Sequence, residues 1–331
     1  MNRFLSVNYN NINKILNKAS KNDYILLGES THGTSEFYST RLDITIMLIV
    51  YHNFNTIFLE MEWSSGYKLN NFIHSNLNID AKTLLENTFV KFPKWMTCNK
   101  YILNLLNFLK RYNTKNSKKV YIYGIDCQDL ELAKENVCSE PNLNCPIVTE
   151  LIKNYAIMTD SNSNYWNIRD SFWLEIIKRV ANYRKSKFIL WAHNSHVGNC
   201  SANIRPGKHI NIGYLLEKLY NVYIIGFSTA IGKVMAAKSW GSNGEIMSIN
   251  KPIKKSFEAE FNKISKKRGE NNLIYICDNK LNTIKYFRYI GVVYKKESEI
   301  DSHYIKTNIN KEFDVIFFFR KTKALDNCNI R

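Results

Sequence analysis

Two segments of the sequence carry histidines at a spacing suited to acid–base chemistry. GESTHG contains Glu29 and His32, and WAHNSHVG contains His193 and His196, each pair three positions apart. A histidine titrates near neutral pH, and a carboxylate within hydrogen-bond reach can hold it in one tautomer, so Glu29 and His32 suit a general base. His193 and His196 could donate hydrogen bonds to an oxyanion or bind a metal ion.

Structural explanations stay open for both segments. Ser30, Thr31 and Ser35 could cap the following helix and leave His32 as a solvated loop residue. The segment WAHNSHVG could be a hydrogen-bonded turn with no ligand.

Other charged residues near these segments also have two interpretations. Glu60 and Glu62 flank Met61 in FLEMEW, and Glu60, at the predicted end of the strand, is expected to face the site. Asp126 could be functional or could cap the next helix. Arg169 and Asp170 precede a predicted helix, where an acidic residue in the first turn is favourable in any case.

The elements that position these residues follow an α/β pattern. Short β-branched and aromatic runs alternate with longer amphipathic segments, which is typical of βαβ units around a mostly parallel sheet flanked by helices. The predicted strands are 24–28, 56–60, 120–126, 187–192 and 222–227, with later apolar runs at 273–277, 289–294 and 313–319 continuing the sheet. The predicted helices are 35–53, 64–75, 100–112, 168–184 and 211–220.

Four of the predicted strands run directly into polar groups that can perform chemistry. They end near Glu29 and His32, at Glu60, at Asp126, and near His193. In an open parallel sheet, ligands bind in the crevice beyond the carboxyl ends of the strands. We therefore expect one active-site cleft at that edge of the sheet.

Composition favours one enzyme-sized unit. Glycine (13) and proline (5) are scarce and no linker-like stretch occurs, so residues 1–331 are predicted to form a single domain. No apolar run is long enough for a signal peptide or a membrane span, which predicts a cytoplasmic protein without a membrane partner. Seven cysteines without a C-x-x-C pair indicate reduced thiols and a reducing compartment.

The net charge raises the question of a nucleic-acid partner. The chain has 46 Lys and Arg against 29 Asp and Glu, a formal charge of +17. The positive charge is dispersed and no zinc-finger or aromatic-basic RNA-binding motif accompanies it, so nucleic acid is not the expected partner. The sequence also lacks G-x-S-x-G, Walker A, G-x-G-x-x-G and H-E-x-x-H motifs, which disfavours common serine hydrolases and nucleotide-dependent enzymes.

An ordered series of motifs resembles the erythromycin esterase-like family. The matching segments are ILLGESTHGTSEFYSTR, FLEMEW, YGIDCQ, RD, LWAHNSHVG, IGFSTAIG and FDVIFFFRKTKAL. The resemblance implies an α/β fold with a deep cleft and metal-independent ester hydrolysis without a cofactor. His32 would activate water beside Glu29. The other cleft positions would be Arg41, Glu60, His193 and His196.

One departure from the family bears on the substrate. Family members that open macrolide rings carry helices between the motifs that contain Asp126 and Arg169, where this chain has only 42 residues. A shortened helical excursion around 127–168 predicts a small-molecule ester or lactone in place of a macrolide. Two alternatives stay open: a metal-dependent hydrolase or peptidase using the same histidines and glutamates, and a non-catalytic binding or effector protein. The oligomeric state is not indicated.

Overall fold

Strands and helices alternate along most of the computed structural model, which describes residues 3–75, 79–126, 147, 165–205 and 209–326. The described strands are β1 Phe4–Ser6, β2 Tyr24–Leu27, β3 Thr56–Glu62, β4 Tyr121–Asp126, β5 Phe188–Trp191, β6 Asn203–Ile204, β7 Val222–Ala236, β8 Glu245–Ser248, β9 Asn272–Ile276, β10 Lys285–Arg288, β11 Tyr304–Thr307 and β12 Val315–Thr322. The described helices are α1 Tyr9–Ala19, α2 Ser35–His52, α3 Trp63–His74, α4 Ala81–Thr88, α5 Lys100–Lys115, α6 Tyr165–Arg184, α7 Asn194–Val197, α8 Ile212–Glu217, α9 Phe257–Arg268, α10 Glu299–His303 and α11 Ile309–Glu312.

A nine-stranded sheet forms the centre of the fold, in the order β1-β9-β12-β7-β2-β5-β3-β4, with β8 paired to β7. The six strands from β12 to β4 are mutually parallel, while β9 runs antiparallel to β12 and β1 antiparallel to β9. A second, antiparallel sheet has the order β10-β11-β6. The predicted α/β class with a mostly parallel central sheet is therefore confirmed.

Helices cover both faces of this sheet because its strands are apolar on both sides. In β2, Ile25 and Leu27 belong to one core cluster, which also holds buried residues of α1, α2 and α5. Tyr24 and Leu26 belong to the opposite cluster, with buried residues of α6, α8 and α9. Parallel strands buried on both faces are expected to be continuously apolar, which is why these runs were recognisable in the sequence.

The predicted strand at 289–294 is wrong. This run forms only isolated bridges, between Ile290 and Thr31 and between Val293 and Ala237. It packs against the extension of β7 beyond the sheet, in a small cluster that includes Val234 and Ile290. A short apolar run can be buried in several ways, and here it is buried by contact with the loop after β2.

Two further expectations can be compared with the described residues. Cys98 is disulfide-bonded, so the prediction that the cysteines are reduced is wrong at this position, whereas Cys200 and Cys277 are free. Most of the shortened excursion around 127–168 lies outside the described residues. No helix in the described ranges is long and apolar enough to cross a membrane.

Candidate active site

The sheet order brings the chemically competent segments together. β5 lies between β2 and β3 and is parallel to both, and β4 follows β3 at the edge. The carboxyl ends of these four neighbouring strands therefore carry Glu29 and His32 after β2, His193 and His196 after β5, Glu60 on β3 and Asp126 on β4.

A buried chain of three residues leads to the imidazole of His32. The Nδ1 atom of His32 lies 2.9 Å from Oε1 of Glu29, and the Nη2 atom of Arg41 on α2 donates to Oε2 of Glu29 at 2.8 Å. The guanidinium of Arg41 is sandwiched by aromatic rings, with its Cζ atom 4.3 Å from the ring centre of Tyr38 and 4.7 Å from that of Trp191. Within the described part of the chain, no group is hydrogen-bonded to Nε2 of His32, which leaves this nitrogen for a bound water.

His193 is held through both of its ring nitrogens. Its Nε2 atom donates to the carbonyl of Ile290 at 3.2 Å, and its Nδ1 atom accepts from the backbone N–H of Ser195 at 3.3 Å. Burial, reinforced by the nearby His32 and His196, lowers the pKa of His193 well below its usual value. His193 is therefore a neutral imidazole whose ring lies 4.7 Å from that of His32.

Glu60 lies at an irregularity of β3 and contacts the segment that carries His193 and His196. The register between β3 and β4 shifts between Leu59 and Glu62, which turns the Glu60 side chain toward β5. Its Oε2 atom accepts the backbone N–H of His193 at 2.8 Å. Although burial opposes ionisation, His32, His196 and Arg169 outweigh it and lower the pKa of Glu60, so this carboxylate is charged.

His196 is paired with an acid from α6. Its Nδ1 atom donates to the carboxylate of Asp170 at 2.9 Å, and its Nε2 atom lies 3.7 Å from Oε1 of Glu60. Burial disfavours a charge on His196, but Asp170 and Glu60 outweigh it and raise the pKa of this histidine above its usual value. His196 therefore keeps its proton to higher pH than an isolated histidine.

The residues Arg169, Asp170 and Asp126 were left undecided by the sequence and belong to the same site. Arg169 donates to Asp126 at 2.6 Å through Nη2, and its Nη1 atom lies 3.5 Å from Nε2 of His196. Because Tyr165 already lies in α6, Asp170 is not at the helix start as predicted, so a capping role does not explain it. In the sequence, this arrangement was indicated by the adjacent opposite charges of Arg169 and Asp170 and by the acid Asp126 at the end of β4.

Asn194 is a residue of the site region that the sequence interpretation missed. Its side chain donates to the carbonyl of Phe227 at 2.7 Å and accepts from the backbone N–H of the same residue at 3.3 Å. Its backbone N–H donates to the carbonyl of Glu29 at 2.7 Å. Asn194 therefore ties the ends of β2, β5 and β7 together, and its position between the two histidines was the only sign of this role.

The same side chains do not form a metal-binding geometry. Among the described residues, no three His, Cys, Asp or Glu side chains are placed so that they could hold a metal ion. Donors that a metal would need already bind one another: Nδ1 of His196 binds Asp170, and Nδ1 of His32 binds Glu29.

Comparisons with known proteins agree with the fold and with the family resemblance. The family model described as erythromycin esterase matches residues 49–140 and 139–322 of this chain. The structure is similar to that of a succinoglycan biosynthesis protein, with a TM-score of 0.76 and 18% identity over 97% of this chain and 93% of that chain. It is also similar to a protein from Bacillus cereus, with a TM-score of 0.74 and 17% identity over 96% of this chain and 92% of that one. A mutant of the erythromycin esterase EreC, in its open conformation, gives a TM-score of 0.63 and 16% identity over 94% of each chain.

Proposed function

Because this chain belongs to the erythromycin esterase family, we propose that it is a metal-independent hydrolase of a carboxylic ester or lactone. The observation that carries this proposal is the buried chain from Arg41 through Glu29 to His32, which ends on a ring nitrogen that has no hydrogen-bond partner among the described residues. A carboxylate on Nδ1 places the proton there and leaves the lone pair on Nε2, as a general base requires.

In the proposed reaction, Nε2 of His32 removes a proton from water while the water oxygen attacks the ester carbonyl. The carbonyl oxygen becomes an oxyanion in the tetrahedral intermediate. The carbon–oxygen bond to the leaving alcohol then breaks, and the proton held by His32 passes to the alkoxide. Glu29 stabilises the imidazolium of His32 between these two steps, and Arg41 holds the carboxylate of Glu29 in place.

The oxyanion would be stabilised by two adjacent side chains of the site that can carry positive charge. They are His196, favoured as an imidazolium by Asp170, and the guanidinium of Arg169. Fixed positive groups aimed at developing negative charge are usually the largest contribution to such catalysis. Both groups are almost fully buried, which strengthens their effect because water does not screen them.

His193, Glu60 and Arg41 would act as positioning residues. His193 donates its N–H to Ile290, so it has no proton to offer an oxyanion in this conformation. Glu60 fixes the backbone of His193, and Arg41 is committed to Glu29. An alternative oxyanion site would use His193, His196 and Arg41 together. The hydrogen bonds of His193 to Ile290 and of Arg41 to Glu29 engage two of these residues elsewhere, so His196 is the one of the three that is left for the oxyanion.

The decisive experiment removes the base and keeps its partner. In His32→Asn, the side-chain amide can still donate to Glu29, but it cannot accept a proton, so turnover should fall about 10²- to 10⁴-fold. The measurement is kcat across a panel of acyl esters and lactones, before and after treatment with a chelator. His52→Asn, in the last turn of α2, is the matched control and should keep full activity.

Three results would contradict the proposal. Unchanged turnover in His32→Asn would remove His32 as the base. Loss of activity on chelation, restored by a divalent ion, would favour the metal-dependent alternative. A folded wild-type protein that hydrolyses no member of the panel would favour the binding or effector alternative.

A further inference from the structure

Trp166 presents an exposed aromatic surface at the edge of the candidate site. It lies in the first turn of α6, and 58% of its surface is exposed. Its ring centre is 6.0 Å from that of His196, and the Cζ atom of Arg169 is 5.4 Å from the indole ring. The indole therefore borders the groups assigned above to the oxyanion.

A second tryptophan on the same helix shows why the exposure of Trp166 needs a separate explanation. Trp173 lies two turns further along α6, fully buried, with its ring centre 4.5 Å from that of His196. Its indole N–H donates to Asp126 at 3.3 Å, so packing and a hydrogen bond account for it. Trp166 instead leaves more than half of its surface exposed beside the site, where the indole can pack against an apolar group of a ligand.

The indole of Trp166 is also held in place. The ring of Tyr165 meets it edge-on, at 5.5 Å between centres and 83° between planes, and Tyr165 itself packs against the core. Contact with Arg169 adds a cation–π interaction. A supported aromatic plane binds a flat ligand group at a lower entropic cost than a mobile one.

We propose that Trp166 forms a binding subsite for a ring-bearing or extended apolar group of the substrate, directly beside the ester carbonyl. This inference rests on the proposed hydrolase function. It specifies the substrate class: esters with an aromatic or comparable ring bind through the indole, and acetate esters of small alcohols do not reach it. Trp166 thereby sets substrate affinity and takes no part in proton transfer.

The first test separates binding from turnover. Trp166→Ala should raise KM for 2-naphthyl acetate or methyl 2-naphthoate about 10- to 100-fold, with kcat changed less than about twofold. KM for ethyl acetate should stay within about twofold of the wild-type value, and Trp166→Phe should restore most of the affinity for the naphthyl esters. Trp240→Ala is the matched control, because Trp240 is 69% exposed and contacts Phe92 instead of the site.

A second test needs no hydrolysis. Binding of the amide N-methyl-2-naphthamide is measured by calorimetry to the wild-type protein and to the Trp166→Ala, Trp166→Phe and Trp240→Ala variants. Weaker binding in Trp166→Ala alone supports the subsite, even if the wild type cleaves no ester and the proposed function fails. No binding by the wild type, equal binding by Trp166→Ala, or an equal rise in KM for ring-bearing and small esters overturns the proposal.

Discussion

At the residue scale, the pairing of His196 with Asp170 determines a pH dependence. The pKa of His196 is raised chiefly because Asp170 and Glu60 outweigh its burial, so the charged form persists to higher pH than in an isolated histidine. If that charge stabilises the oxyanion, kcat falls as pH rises through this raised pKa. Removing the negative charge of Asp170 lowers the pKa of His196, and the fall in kcat then begins at lower pH.

The variant Asp170→Asn tests this relation. The amide oxygen can still accept the backbone N–H of Ile212, which Asp170 binds at 2.8 Å, so local structure is retained. We expect the alkaline limb of the kcat–pH profile to move to lower pH, with a parallel shift in the NMR titration of His196. The exposed Asp301→Asn serves as a control. A profile with an unmoved alkaline limb would show that His196 does not act through its charge.

The sequence indicated most residues of the site but not which role each of them has. Glu29, His32, His193 and His196 were recognisable because each follows an apolar strand at a short, fixed distance. The neutral state of His193 was not predictable, since it depends on burial beside His32 and His196, and its ring N–H is committed to the carbonyl of Ile290, which is distant in the chain. Hydrogen bonds between distant residues assign roles that spacing alone leaves open.

At the element scale, the irregularity of β3 that directs Glu60 depends on a glycine in the neighbouring strand. A Cβ atom on Gly124 of β4 would lie 2.1 Å from the carbonyl oxygen of Glu62 and 2.5 Å from that of Met61. β4 can therefore approach the irregular part of β3 only because position 124 has no side chain. The close contact between the edge strand β4 and β3 therefore affects the position of the Glu60 side chain.

Gly124→Ala should damage both stability and activity. The added methyl group forces the two backbones apart, and we expect a loss of about 1–3 kcal/mol in the free energy of unfolding, together with reduced kcat. Denaturant unfolding and ester hydrolysis measure the two effects. Gly291→Ala is the control for stability, because a Cβ atom there meets nothing within 4 Å. A fully stable, fully active Gly124→Ala variant would refute the argument.

Elements were predictable in proportion to their burial. β2 to β5 lie inside a sheet covered on both faces, so their sequences are continuously apolar and their positions were predicted within one or two residues. β6, β10 and β11 are two to four residues long and partly exposed, and no run in the sequence identified them. The contacts that hold this small sheet together are not indicated by hydrophobic periodicity in the sequence.

At the scale of the whole molecule, the predicted substrate size is still to be tested. The short segment between Asp126 and Arg169 led to the expectation that one wall of the cleft is reduced. A macrolide ring then lacks support, and misplacing its ester by about 1 Å costs on the order of 100-fold in rate. We expect kcat/KM for erythromycin to be far below that for smaller or more extended esters. A clear preference for erythromycin would contradict this expectation.

The strand order of the central sheet affects how the protein folds while the ribosome synthesises it. β2 and β3 leave the ribosome early, yet neither can pair with the other, because β5 occupies the place between them. Until residues 188–191 are made, both strands keep an open edge, and Glu29 has no contact with Asn194. Chains interrupted before β5 would expose these apolar edges and tend to aggregate. The site therefore cannot assemble before β5 has been synthesised and has inserted between β2 and β3.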